Sequence, residues 1–148
     1  MIAKIDTGGR PRSVAFLPDG SRANVACETS GYVAVIDAKS HQLLSKVRLP
    51  TGSLPMGTTI SGDGRELYVS TGRGNAIAII DTQKKDVATT IPVGNRDWGI
   101  ALDPGGTKLY TANGASNDVF VVDLKTRKEL RRVKVGDGPW GVAIVPKE

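Results

Sequence analysis

One unit recurs along this chain about every 42 residues, and that repeat restricts the fold more than any other feature. A glycine, two variable residues and then proline or its substitute begin at Gly8, Gly52, Gly94 and Gly136, in steps of 44, 42 and 42. The turn triplets Pro18-Asp19-Gly20, Gly62-Asp63-Gly64 and Pro104-Gly105-Gly106 keep the same spacing. So do the aspartates that close Val35-Ile36-Asp37, Ile79-Ile80-Asp81 and Val121-Val122-Asp123. Landmarks in a single register mean one supersecondary unit used several times over. A unit of this size cannot bury its apolar surface alone, so neighbouring copies must pack on one another.

Within a period the chain reads as four short strands. In the third they are Trp98 to Asp103 (strand A), Lys108 to Ala112 (B), Asp118 to Asp123 (C) and Glu129 to Val135 (D). Each is rich in Val, Ile, Thr or Tyr or alternates apolar with charged residues, and Gly, Asn or Asp bounds it. Only the stretch from Gln42 to Leu49 lets a helical period compete. Four strands in about 42 residues are one blade of a β-propeller. The expected fold is therefore all-β: a partial β-propeller with blades over about 13–49, 55–93 and 97–135. A lone D strand over 2–6 and a lone A strand over 140–145 flank them. Three blades are fewer than the roughly four of the smallest closed rings. Two readings stay open: the chain is a fragment of a longer, seven- or eight-bladed propeller, or two chains close one ring as a homodimer.

Composition removes other classes. No apolar run reaches the ~18 residues of a membrane span, and the first ten residues have no apolar signal core. One cysteine (Cys27) and one histidine (His41) cannot make an internal disulfide or a four-ligand zinc site, so no metal is expected. With no Cys-x-x-Cys-His there is no covalent haem, and no cofactor is expected. A net charge of +5 is a weak pull on acidic partners, and the basic 125–134 stretch reads as a solvated blade rim rather than a nucleic-acid surface.

The segments Ile91-Pro92-Val93-Gly94, Trp98-Gly99-Ile100-Ala101, Leu109-Tyr110-Thr111-Ala112-Asn113 and Val119-Phe120-Val121-Val122-Asp123 resemble the YVTN family of β-propeller repeats. Ser116-Asn117-Asp118-Val119 with Gly138-Pro139-Trp140-Gly141-Val142-Ala143 is similar to bacterial propellers associated with pyrroloquinoline-quinone-dependent alcohol catabolism. The resemblance implies a periplasmic or cell-surface location. It also implies that the D-to-A and B-to-C connections share one face of the ring, around the mouth of the central channel.

On that face Arg12, Met56, Trp98 and Trp140 occupy the same position of the repeat, with Arg96, Arg73 and Asn113 in the adjoining connections. Tryptophans and arginines so grouped suit a small anionic or planar ligand, held by stacking and bidentate hydrogen bonds. The structural alternative is that the tryptophans cap the tops of adjacent blades. No catalytic residue is expected, because Cys27 has no paired base and His41 falls in a C-to-D turn on the opposite face. The expectation is a non-catalytic binding or interaction propeller of the bacterial cell envelope, with a protein or small-molecule partner. An accessory or catalytic role in quinone-linked oxidation is the alternative. A lactonase-type hydrolase comes third, for want of a histidine-bearing or paired-carboxylate constellation.

Overall fold

The computed structural model describes residues 1–145, and they form twelve strands. The first blade contains β1 (Pro11–Phe16), β2 (Arg22–Cys27), β3 (Tyr32–Asp37) and β4 (Leu43–Arg48). The second contains β5 (Thr58–Ile60), β6 (Glu66–Ser70), β7 (Ala76–Asp81) and β8 (Asp86–Pro92). The third contains β9 (Asp97–Leu102), β10 (Lys108–Asn113), β11 (Asp118–Asp123) and β12 (Lys128–Lys134). Each blade is a separate four-stranded sheet in sequence order, antiparallel throughout. The stretch with a competing helical period is strand β4.

The repeat extends to fine detail. The C–D pairing is interrupted between Val35 and Ile36, between Ile79 and Ile80, and between Val121 and Val122, which are equivalent positions. Gly20, Gly64 and Gly106 end the A–B turns with φ of 71°, 73° and 65°, where a side chain would be strained. The strand-closing aspartates accept amide hydrogens from the turns that follow: Ser40 N–H to Asp37, Lys84 N–H to Asp81 and Thr126 N–H to Asp123. Those bonds hold all three carboxyls below the usual carboxylate range.

The core lies between blades. Val33, Val35, Val47 and Leu49 of the first blade meet Leu67, Val69, Ala78 and Ile80 of the second. Tyr68, Ile77, Ile79 and Ile91, on the other face of the second blade, meet Leu109 and Val122 of the third. Burying each large aliphatic side chain is worth about 1.5–3 kcal/mol, so these junctions carry most of the stability.

Two expectations fail at the ends. Neither 2–6 nor 140–145 forms a strand. A D strand needs a C strand beside it and an A strand needs a B strand, and neither neighbour is present. Ile5 instead packs on the outer face of the first blade, against the cluster of Val25, Tyr32 and Ile36. The apolar sequence of strand A predicts cover on both faces, yet Val14 and Phe16 are 52% and 55% exposed. β12 is likewise exposed along its whole length, apolar residues included. These surfaces are repeat equivalents of the faces that mate inside the segment.

Candidate functional site

The D–A and B–C connections do converge on one face. There a cavity of about 250 Å³ is lined by Arg10, Arg12, Glu28, Leu54, Met56, Gly72, Arg73, Arg96, Trp98 and Trp140. Six of the seven residues singled out from the sequence therefore meet: Arg12, Met56, Arg73, Arg96, Trp98 and Trp140. Asn113 does not join them. It is fully buried, donates from Nδ2 to Asp118 Oδ1 at 2.9 Å, and accepts from Thr111 Oγ1 at 2.9 Å. Its amide is committed to holding the loop between β10 and β11.

The aromatic centre of the site is a pair. The Trp98 and Trp140 rings lie 4.4 Å apart between centroids with their planes tilted by 44°. The Arg12 guanidinium lies 5.9 Å from the Trp140 ring and that of Arg96 lies 5.8 Å from the Trp98 ring. The result is a row of cation, ring, ring and cation, in which each guanidinium faces π density. Repeat register explains the Trp98–Trp140 pair, because consecutive repeats present the same position side by side around the axis; Arg12 reaches the row from the first blade and Arg96 stands two residues before Trp98. Trp98 also rests on Gly114: a Cβ there would come within 2.5 Å of Cε3 and 2.8 Å of Cη2. It caps its own blade and lines the cavity at once.

Charge in the cavity is uneven. Arg12 and Arg10 share one carboxylate, with Nε to Glu28 Oε2 distances of 2.6 and 3.2 Å. Arg73 and Arg96 have no acidic partner among the described residues. Four guanidinium groups face one carboxylate, so the cavity has an excess of positive charge. Arg10 and Arg96 also hold left-handed backbone, both with φ of 56°, at the position where the fourth repeat has Gly138 with φ of 62°. Such a conformation costs a non-glycine residue roughly 1–2 kcal/mol. The Arg96 amide is secured by Asn75 Oδ1 and that of Gly138 by Asn117 Oδ1, both at 2.9 Å.

Two residues of this region are not among the sequence candidates. Glu28 stands in a B–C connection, but its pairing with Arg12 crosses from one connection to another and has no local signal. Asp97 does leave a signal: it stands where the other repeats have Pro11, Pro55 and Pro139. It is fully buried, and Oδ2 accepts the Thr71 amide hydrogen at 2.9 Å. Burial without a cation pushes its carboxyl up to about 8. Cys27 is fully buried, with its thiol directed at the Thr7 carbonyl, and His41 lies exposed in a C–D turn.

Blades, register and channel mouth together define a β-propeller segment, and its family follows from the sequence match. The chain belongs to the family described as Lactonase, 7-bladed beta-propeller, which matches residues 2–136. It is 35% identical over 95 residues to the seven-bladed beta-propeller protein Rv1057 of Mycobacterium tuberculosis, a match covering 62% of this chain and 24% of that protein. Hydrazine synthase of Kuenenia stuttgartiensis superposes with a TM-score of 0.84 at 26% identity, over 95% of this chain and 40% of the other. A Lactobacillus plantarum protein superposes with a TM-score of 0.78 at 22% identity, over 94% and 46%, a likeness of fold alone. The chain thus spans less than half the length of each of these relatives.

Proposed function

We propose that this propeller segment is a binding module that holds a small anion with a ring-shaped or planar body at the channel mouth. The observation that carries the reading is the presence of two arginines without acidic partners, Arg73 and Arg96, in one cavity with the Trp98–Trp140 pair. Guanidinium groups bind carboxylates in bidentate fashion, and indole faces stack on rings. At about 250 Å³ the cavity is smaller than the usual range for drug-sized ligands, which favours a compact molecule such as a sugar acid.

Glucuronate, which carries a carboxylate on a pyranose ring, titrated at constant ionic strength with tryptophan emission as the signal, tests this reading. Saturable quenching in the wild type that disappears in the double variant Arg73→Ser, Arg96→Ser is the expected result. A linear, non-saturating response in both proteins would remove the proposal.

The family description favours a second reading, hydrolysis of a lactone. Glu28 is the one carboxylate among the residues lining the cavity, and Arg12 and Arg10 hold it as a charged anchor rather than leaving it free as a base. Base uptake with δ-gluconolactone above the spontaneous rate, abolished by Glu28→Gln, would establish hydrolysis. The YVTN resemblance implies a cell-envelope setting next to quinone-linked oxidation, and a quinone or haem band in protein purified from its host would favour that role.

A further inference from the structure

We infer that Asp97 is a positioning residue: its carboxyl ties the loop after β6 to the third blade and so holds Arg73, Arg96 and Trp98 around one cavity in a pH-dependent manner. The inference rests on the binding reading only for the consequence it has for ligand.

The repeat is broken in the second blade. In the first and third blades, the amides that follow strand B donate to the D–A connection of their own blade. These are Glu28 to Arg10 O at 3.0 Å and Thr29 to Gly9 O at 3.3 Å, then Gly114 to Arg96 O at 2.9 Å and Ala115 to Asn95 O at 3.1 Å. The second blade lacks this pair among the described residues. Its loop is held to its own D–A connection by bonds of the opposite sense, Leu54 N–H to Thr71 O at 2.8 Å and Met56 N–H to Ser70 O at 3.0 Å, and it also reaches across the junction. The Thr71 amide, which also donates to Ala76 O at 3.0 Å, donates to Asp97 Oδ2, and Gly72 pairs with Asp97 in an isolated antiparallel bridge. The Ser70 hydroxyl donates across the same junction to the Trp98 carbonyl at 2.9 Å. On both segments joined by Asp97, the adjacent residues line the cavity: Gly72 and Arg73 on one, Arg96 and Trp98 on the other. An aspartate has replaced the repeat's proline where a hydrogen-bond acceptor is needed.

The same carboxyl is poised electrically. Its Oδ1 is buried without a hydrogen-bond partner. The charged groups on the surrounding elements are Arg73 on the joined loop, Arg96 beside it, Asp118 at the start of β11, and Arg10, Arg12 and Glu28 around the cavity. None forms an ion pair with Asp97 among the described residues. Burial therefore favours the neutral acid up to a pH of about 8. Above that, the ion must draw in water or an arginine, since an unpaired buried charge is costly. Either response disturbs the loop and leaves Arg73 or Arg96 less available to an anionic ligand.

Trp98 and Trp140 are the two tryptophans of the chain, so intrinsic emission reports on this cavity without any ligand. In the wild type the emission is expected to titrate with a midpoint near pH 8. Asp97→Asn keeps an acceptor for the Thr71 amide but cannot ionise, so its emission is expected to stay flat from about pH 6.5 to 9.5. Asp97→Pro restores the residue of the other repeats, should be flat as well, and serves if the Asn variant does not fold. A flat wild-type profile would overturn the inference. So would a midpoint that survives in the variants. Glucuronate affinity should weaken roughly two- to fivefold between about pH 7 and 9 in the wild type and not in Asp97→Asn, the size of one screened charge contact. Glucuronate failing to bind while the emission still titrates would sink the binding reading and leave the role of Asp97 standing.

Discussion

Replacing Asp97 with asparagine should change the pH dependence of stability as well as the behaviour of the cavity. In the unfolded chain this carboxyl ionises near its ordinary value of 3.8, whereas in the folded protein burial holds the proton up to about 8. Between those two values the native state carries a proton that the unfolded state has released. Stability therefore falls as pH rises through that window, and levels off above about 8. From 3.8 to neutral pH is about 3 units, and at about 1.36 kcal/mol per unit the loss reaches roughly 4 kcal/mol by pH 7. Asparagine accepts the same amide hydrogen and has no proton to lose. Asp97→Asn should be close to the wild type near pH 4 and more stable by up to about 4 kcal/mol at about pH 7. Urea unfolding of both proteins at pH values from about 4 to 9 gives the two curves directly. Parallel curves, or a wild type that gains on the variant with rising pH, would refute the argument that the buried carboxyl is unpaired.

Leu109→Ala removes a fully buried side chain from the junction of the second and third blades, and denaturant unfolding should show a loss of about 2–5 kcal/mol. Gly114→Ala drives a methyl group into the Trp98 ring, so the near-ultraviolet circular dichroism of the tryptophan pair should collapse with a loss of about 1–3 kcal/mol. Arg96→Gly relieves left-handed backbone and should hold or raise thermal stability by about 1 kcal/mol while weakening glucuronate binding. A variant that lost stability and kept its affinity would show that the strain at Arg96 has no functional counterpart.

The grouping of Arg12, Met56, Trp98 and Trp140 is legible in the sequence because repeat register alone puts equivalent positions side by side around a propeller axis. Asn113 is misplaced by the same reasoning. Register puts its loop at the channel mouth but says nothing about where the side chain turns, and packing directs it to Asp118 and Thr111. The Arg12–Glu28 pair is illegible because it joins two different connections and depends on how their side chains meet. Asp97 is detectable in principle, since an aspartate in the place of a recurring proline is a visible break. What it adds, a tie from the loop after β6 to the next blade, exists only in three dimensions.

The order of residues along the chain is enough to dictate the blades, their turn chemistry and their succession. Strand alternation, turn residues and a fixed period are local properties that need no distant partner. Everything else waits on folding. Which arginines spend their charge on Glu28 and which stay free depends on where the connections meet, and so does which carboxyl is buried without a counter-charge. Strand formation stops short of 2–6 and 140–145 because a strand exists only when a neighbour accepts its hydrogen bonds. Charge pairing, desolvation and edge pairing all depend on what lies across a gap in space, and a one-dimensional string of residues does not record that.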